Sequence, residues 1–293
     1  MKQPSIRFLI PYFGHWPAWM PFFVETARWN PTIDWYFYTD CGPLTNCPSN
    51  VRVFSTTFPA YCEKVSNVLG VDFKPTSPYK LCDLKPAYGY LHQDDLKEID
   101  FWAFGDIDVV LGDLRAYFTD ERLAKKDVFS THARRISGHM CLIRNKPELN
   151  ELFMRIPNWK ELFQKNRHLA LDEGAFTRLF LRHKNLPAYV ASILGCLTNR
   201  WYRRAEFLES YSTPNAKIPW HDGSKNFPTC WRWANGKLFN NRDGDRTFPY
   251  FHFFIWKRSW MGSETLAENR KNFPGEIKEF YVSNLGFSTE GVA

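Results

Sequence analysis

The chain has 293 residues, a net charge of +7 and a pI near 9.0, long enough to bury one core of catalytic size. Its 44% hydrophobic and 24% charged residues are those of an ordinary soluble protein, and no apolar run approaches transmembrane length. Basic residues come in small clusters (HARR at 132–135, RWYRR at 200–204, WKRSW at 256–260) rather than in a stripe or a recognisable nucleic-acid module, so nucleic acid is excluded as a partner.

Aromatic residues reach 17%. Most are expected to fill the core, and the remainder suit stacking on sugars or bases or anchoring at a membrane interface. Seven cysteines without a CxxC pair suggest neither a zinc knuckle nor a disulfide framework. The compartment expected from such thiols is the cytosol. The N-terminal apolar run is too short for a signal peptide, so any membrane contact is expected to be peripheral, at the inner face of the cytoplasmic membrane.

In chain order, IRFLIPYFG reads as a buried strand ending at Pro11 and Gly14, PAWMPFFVETARWNP as a helix, and IDWYFYTD and NVRVFST as strands. This start predicts an α/β fold: a single Rossmann-like domain with a mostly parallel central sheet flanked by helices. Ligands of such sheets bind beyond the carboxyl ends of the strands, which gathers residues 11–14, 39–40 and 106–108 on one rim. A helix is expected from Ser77, restarting at Pro86, and then the strand FWAFGDID. DVFSTH and GHMCLIRN read as strands, and residues 148–153, 161–166 and LDEGAFTRLFLRH as helices. Residues 185–260 read as loops and short strands. The tail, 261–293, reads as a surface appendage to a domain spanning 1–260, with its nucleotide-binding part at about 1–115 and its acceptor part at about 116–260.

The stretch DFWAFGDIDVVLGDL carries the strongest chemical signal. Asp106 and Asp108, one residue apart on a strand, point to one side. Two such carboxylates repel unless a cation lies between them, and Mn²⁺ or Mg²⁺ takes carboxylate oxygens together with substrate phosphates. Lys80 and Asp83, three apart on the preceding helix, share a face, with Lys85 two residues further on. Asp172 and Glu173 open a helix, where carboxylates cap the N-terminus or face a ligand.

These residues resemble the GT-A class of nucleotide-sugar-dependent glycosyltransferases, in which a DxD motif holds a metal against the donor diphosphate. FLIPYFGHWPAW, WYFYTD, PYKLCDLKPAYG and FWAFGDIDVVLGDL together look like a bacterial glycosyltransferase family associated with polysaccharide and lipopolysaccharide assembly, over most of residues 5–260. The resemblance implies that Pro11, Tyr12 and Phe13 surround the nucleotide, with Thr39 and Asp40 at uracil or ribose. Lys80, Asp83 and Lys85 would lie beside the donor, and Gly138 and His139 would form the floor under donor sugar or acceptor. HFFIWKRSW resembles the late histidine segment of family-8 enzymes, with the His-to-Lys spacing different by one residue. It implies His252 as third metal ligand beside Asp106 and Asp108, and Lys257 or Arg258 on the diphosphate. Asp172 or Glu173 would contact sugar or take the acceptor's proton. The implied activity is metal-dependent transfer from a UDP-hexose to a glycan or lipid-linked glycan acceptor. The rivals are a metal-dependent phosphohydrolase and a non-catalytic glycan-binding protein on a transferase fold.

Overall fold

A computed structural model describes residues 2–183, 185–260 and 277–289. In chain order the strands are β1 (Ile6–Pro11), β2 (Ile33–Thr39), β3 (Val51–Ser55), β4 (Phe101–Gly105), β5 (Val109–Leu111), β6 (Val128–Ser130), β7 (Met140–Arg144), β8 (Ala205–Phe207), β9 (Cys230–Ala234), β10 (Lys237–Asn240), β11 (Tyr250–His252), β12 (Glu279–Ser283) and β13 (Gly286–Ser288). Seven of them form the central sheet in the order β3-β2-β1-β4-β7-β6-β8. All neighbouring pairs run parallel except those of β7, which is antiparallel to both β4 and β6. The expected mostly parallel α/β sheet flanked by helices is therefore the observed one.

Helices cover both faces, so the central strands are apolar on both sides rather than alternating. On one face, helix Met20–Arg28 packs Phe23, Val24 and Ala27 against Phe8, Trp35, Phe37 and Ala103. On the other, helix Phe58–Leu69 and the turns at 78–91 bury Tyr61, Val65, Leu84 and Tyr88 against Leu9, Tyr36, Trp102 and Cys141. The helix Phe58–Leu69 escaped the sequence reading although its signals were present: the Thr57 hydroxyl accepts from the Ala60 N–H at its start, and Pro59 lies in its first turn.

Four expectations are corrected. The segment from Ser77 is not one helix restarting at Pro86 but a 3-10 run, Pro78–Ala87, followed by the single turn Tyr88–Leu91. With tighter i→i+3 bonding, Pro86 sits inside it, having no N–H to lose. Strand β4 ends at Gly105, so Asp106 and Asp108 lie on the bend before β5 and not within a strand. Residues 185–260 are not only loops and short strands: Ala188–Thr198 and Arg200–Arg204 are helices.

The tail beyond Trp260 is not merely an appendage. Strands β12 and β13 complete a second, antiparallel sheet ordered β10-β9-β12-β13, and Phe280, Val282 and Phe287 are buried there with Phe22, Trp231 and Trp233. The remainder of the expected appendage, at 261–276 and 290–293, lies outside the described residues. This aromatic cluster accounts for much of the ring content: Trp231 stacks on Phe251 with centroids 4.6 Å apart, and the Trp233 indole N–H donates to the Leu111 carbonyl at 2.9 Å. Both contacts clamp the two-stranded ribbon β5–β11, whose antiparallel register sets His252 opposite Val109.

Candidate metal and donor site

The bend at residues 106–108 is held from three sides. The Asp106 N–H donates to the His139 carbonyl at 3.3 Å, the Trp19 indole to the Ile107 carbonyl at 3.1 Å, and the Phe253 N–H to the Asp108 carbonyl at 3.2 Å. Each partner comes from a different element, so tertiary packing rather than strand alternation aims the two carboxylates. Asp106, Asp108 and His252 each offer a ligand atom, and these atoms lie within 4.8 Å of one another.

A lysine answers each carboxylate. Lys85 Nζ donates to Asp106 Oδ1 at 2.6 Å and to the Gly138 carbonyl at 2.8 Å, and Lys257 Nζ donates to Asp108 Oδ2 at 2.6 Å. Burial disfavours the charged form of Lys85, but Asp106 and its neighbours override it and the ammonium pKa is raised. For Asp108 burial again opposes the charge, and His252 and Lys257 together hold the carboxyl well below the usual carboxylate range. The two partners answer the desolvation cost that would otherwise keep carboxylates out of this position.

His252 Nε2 stands 3.5 Å from Asp108 Oδ2, and the Thr213 hydroxyl lies 3.2 Å from Nδ1. With a cation between Asp108 and His252, an Nδ1–H donated to that hydroxyl would leave the Nε2 lone pair to the cation, the arrangement of a metal-binding imidazole oriented by an outer partner. His139 stacks on His252 with centroids 4.2 Å apart. Two carboxylates and one imidazole suit Mn²⁺ or Mg²⁺.

Asp172 and Glu173 occupy a π-helical turn, Asp172–Phe176, rather than opening a regular helix. This turn packs on the strand-entry residue Gly138, where a Cβ would come within 2.8 Å of Asp172 Oδ2. Asp172 is buried, and its burial pushes the carboxyl up to about 7, partly countered by Lys85. Glu173 stays partly exposed, with Arg135 Nε 3.5 Å away. An acid whose folded pKa exceeds its unfolded value of 3.8 leaves stability intact below that value and subtracts it as pH rises through about 7. Asp172→Asn is therefore expected to stabilise the metal-free protein by up to about 4 kcal/mol at pH 8 and hardly at all at pH 4. Urea unfolding at the two pH values checks this, and equal effects at both would remove the strained-carboxyl explanation.

The other expected residues divide. Tyr12 lies on the rim: burial and the charges of Cys41 and Asp108 raise its phenol, and its ring stacks on Trp16 with centroids 5.6 Å apart and planes 5° apart. Pro11 ends β1 beside it. Asp40 is exposed at the end of β2, where its Oδ1 accepts the Gly14 N–H at 2.8 Å and so joins the two strand-end loops. Phe13 points away from the rim into the core against Phe58 and Tyr61, and Thr39 is buried, its hydroxyl accepting the Cys41 N–H.

Lys80 and Asp83 form an ion pair with both side chains at 0% exposure, so neither faces the rim, and the pair is not the solvated one their spacing also allowed. Asp83 instead receives the backbone N–H groups of Leu169 and Leu171, fixing the approach to Asp172. Arg258, beside Lys257, is exposed and lies over the Phe254 ring. Sequence reading missed Thr213, 39 residues from the histidine it orients. It also missed Tyr79, which is 64% exposed, packs on His168 and feels the charges of Asp106 and Asp172.

The sequence matches one family over residues 8–287, a family of unknown function, DUF6625. No curated protein matches. Similar solved structures include mouse xyloside xylosyltransferase 1 in its apo form, at 10% identity and a TM-score of 0.43 over 83% of this chain and 99% of that one. A glycosyltransferase involved in the glycosylation of the major capsid of PBCV-1 matches at 10% identity and a TM-score of 0.38, over 92% and 98%. The galactosyltransferase LgtC, crystallised with donor and acceptor sugar analogues, matches at 13% identity and a TM-score of 0.32, over 58% and 71%. At these scores the function rests on the chain's own site.

Proposed function

Since the chain belongs to the family of unknown function DUF6625, we propose from its site that it is a metal-dependent glycosyltransferase, moving a hexose from a UDP-sugar to a glycan or lipid-linked glycan of a surface polysaccharide. The observation that carries this reading is the convergence of Asp106, Asp108 and His252 with one lysine on each carboxylate. The two aspartates and two lysines are balanced in charge, so a divalent cation adds two uncompensated positive charges, and a diphosphate is the anion that matches them.

Asp106, Asp108 and His252 would hold the cation, which supplies charge neutralisation of the donor's diphosphate. Lys257 and Lys85 would add ammonium donors to the departing phosphate oxygens as the anomeric C–O bond breaks. The stacked Tyr12 and Trp16 rings offer an apolar face to a base, with Pro11 and Asp40 on the same rim. Gly138 and His139 support the sugar from below. Glu173 meets the acceptor hydroxyl, whose oxygen forms the new bond to the anomeric carbon, and the proton released passes to the Asp172–Glu173 pair. A carboxyl with its pKa pushed up to about 7 is suited to that exchange.

The test is titration of UDP, GDP and CMP with and without Mn²⁺. UDP is expected to bind at least about tenfold more tightly with the cation. No metal-dependent binding of any nucleotide would reject the proposal in favour of a glycan-binding protein. Release of inorganic phosphate without an acceptor would favour a phosphohydrolase.

A further inference from the structure

Helix Ala188–Thr198 carries no charged residue, and its outer face is unlike the rest of the surface. Leu186, Tyr189, Val190, Ile193 and Leu197 account for five of the eleven large exposed apolar side chains among the described residues, with Tyr189 at 78% and Leu197 at 72% exposure. The spacing 189, 193, 197 runs along one side of the helix, and Val190 lies beside it. The opposite side is taken: Gly195 packs so closely on Tyr202 that a Cβ there would meet the ring at 2.9 Å. The apolar stripe is thus the face the helix presents outward, and lone exposed leucines are ordinary where a contiguous stripe is not.

Charge along this stretch of the chain is of one sign. Residues 174–205 contain six Lys or Arg and no Asp or Glu. Among the described residues, Arg178, Arg182, Arg200 and Arg203 are exposed, and Arg204 turns inward onto Asp127 and Glu148. An apolar stripe with a tyrosine and a basic margin matches the headgroup region of an anionic bilayer, where the side chains enter the acyl boundary and the guanidinium groups meet lipid phosphates. A second copy of this surface fits poorly, because residues 174–205 hold no acid to receive the partner's arginines. No helix among the described residues is long and apolar enough to cross a membrane, so the contact lies in the interface plane.

We infer that residues 186–203 form a peripheral docking surface for anionic lipid membranes. The surface is tied to the candidate site. Asn199 Nδ2 donates to the carbonyls of Leu179 and Phe180, at 2.9 and 2.7 Å, on the helix that directly continues the Asp172–Phe176 turn. Docking would therefore bring the acceptor side of the molecule toward the bilayer. The inference itself rests on the helix and its charges and not on the transferase reading.

The experiment is co-sedimentation of the full chain with phosphatidylcholine vesicles, with or without about one-third phosphatidylglycerol, at low and high salt. Binding is expected to the anionic vesicles alone, weakening with salt. Ile193→Ser with Leu197→Ser is expected to lower it at least about tenfold, and Arg182→Glu with Arg200→Glu to lower it comparably. Circular dichroism confirms that each variant is folded, and UDP titration of the same variants reads the transferase proposal separately. Failure to bind anionic vesicles, equal binding to neutral ones, or binding unchanged in the serine variant would overturn the inference. So would light scattering showing a dimer that the serine variant splits, which would make the stripe a contact between copies.

Discussion

Asp108→Asn is expected to lower sugar transfer by at least about 10³-fold, equivalent to roughly 4 kcal/mol of transition-state stabilisation, and to abolish metal-dependent nucleotide binding. Asp108 is the carboxylate to which both His252 and Lys257 turn, so its neutralisation removes one ligand and releases the other two groups from their common partner. Initial rates with UDP-hexoses and UDP titration with Mn²⁺ check it. A variant that kept metal-dependent UDP binding would show that the cation lies elsewhere. The same substitution has a signature in stability. Because the folded pKa of Asp108 is depressed, its stabilisation is present above the unfolded value of 3.8 and is lost as pH falls below it. The variant should therefore be less stable than the parent at pH 7 and approach it in acid.

Asp83→Ala is expected to destabilise the protein by about 3–5 kcal/mol, because it leaves the Lys80 ammonium buried and unpaired. It also removes the acceptor for the Leu169 and Leu171 N–H groups, so the turn carrying Asp172 and Glu173 should loosen and the activity fall with stability. Urea unfolding measures the first effect. Replacing both partners, as Lys80→Met with Asp83→Leu, should restore much of the stability, since an apolar pair avoids the desolvation of two charges. The Leu169 and Leu171 amides would remain without Asp83 in that double variant, so its activity should not return. A loss below about 1 kcal/mol in Asp83→Ala would show that the ion pair does not hold this segment.

Much of the architecture was readable in advance. Strands β1 and β2 follow from runs that are apolar but for Arg7, Asp34 and the terminal Thr39, because parallel strands covered on both faces leave their burial written in composition, while the half-exposed edge strand β3 follows from its alternating Val51 and Val53 and helix Met20–Arg28 from its spacing. Helix Ala188–Thr198 was misread as loop for a related reason: an apolar stripe that faces outward has none of the amphipathic contrast with a core that marks an ordinary surface helix. The tail strands were lost because β12 pairs with β9, some 50 residues earlier, a sheet contact of a range that leaves little local signal, and β13 joins that sheet only as a hairpin on β12.

By itself the sequence determined which residue types were available for the site and their separation along the chain: two aspartates one residue apart, a late histidine and lysine, and a carboxylate pair ahead of an apolar run. It also determined the α/β class, since burial of whole strands is a matter of composition. Only the tertiary structure decided which of these residues meet. It set Lys85 on Asp106 and Lys257 on Asp108, buried Lys80 with Asp83 behind the site, and turned Phe13 into the core while leaving Tyr12 on the rim. The physical reason is that these residues lie beyond strand ends or in short helical turns. The direction of a side chain beyond a strand end is fixed by contacts from elements dozens of residues away, such as Trp19, His139 and Phe253 around the 106–108 bend, and not by the two-residue period of the strand.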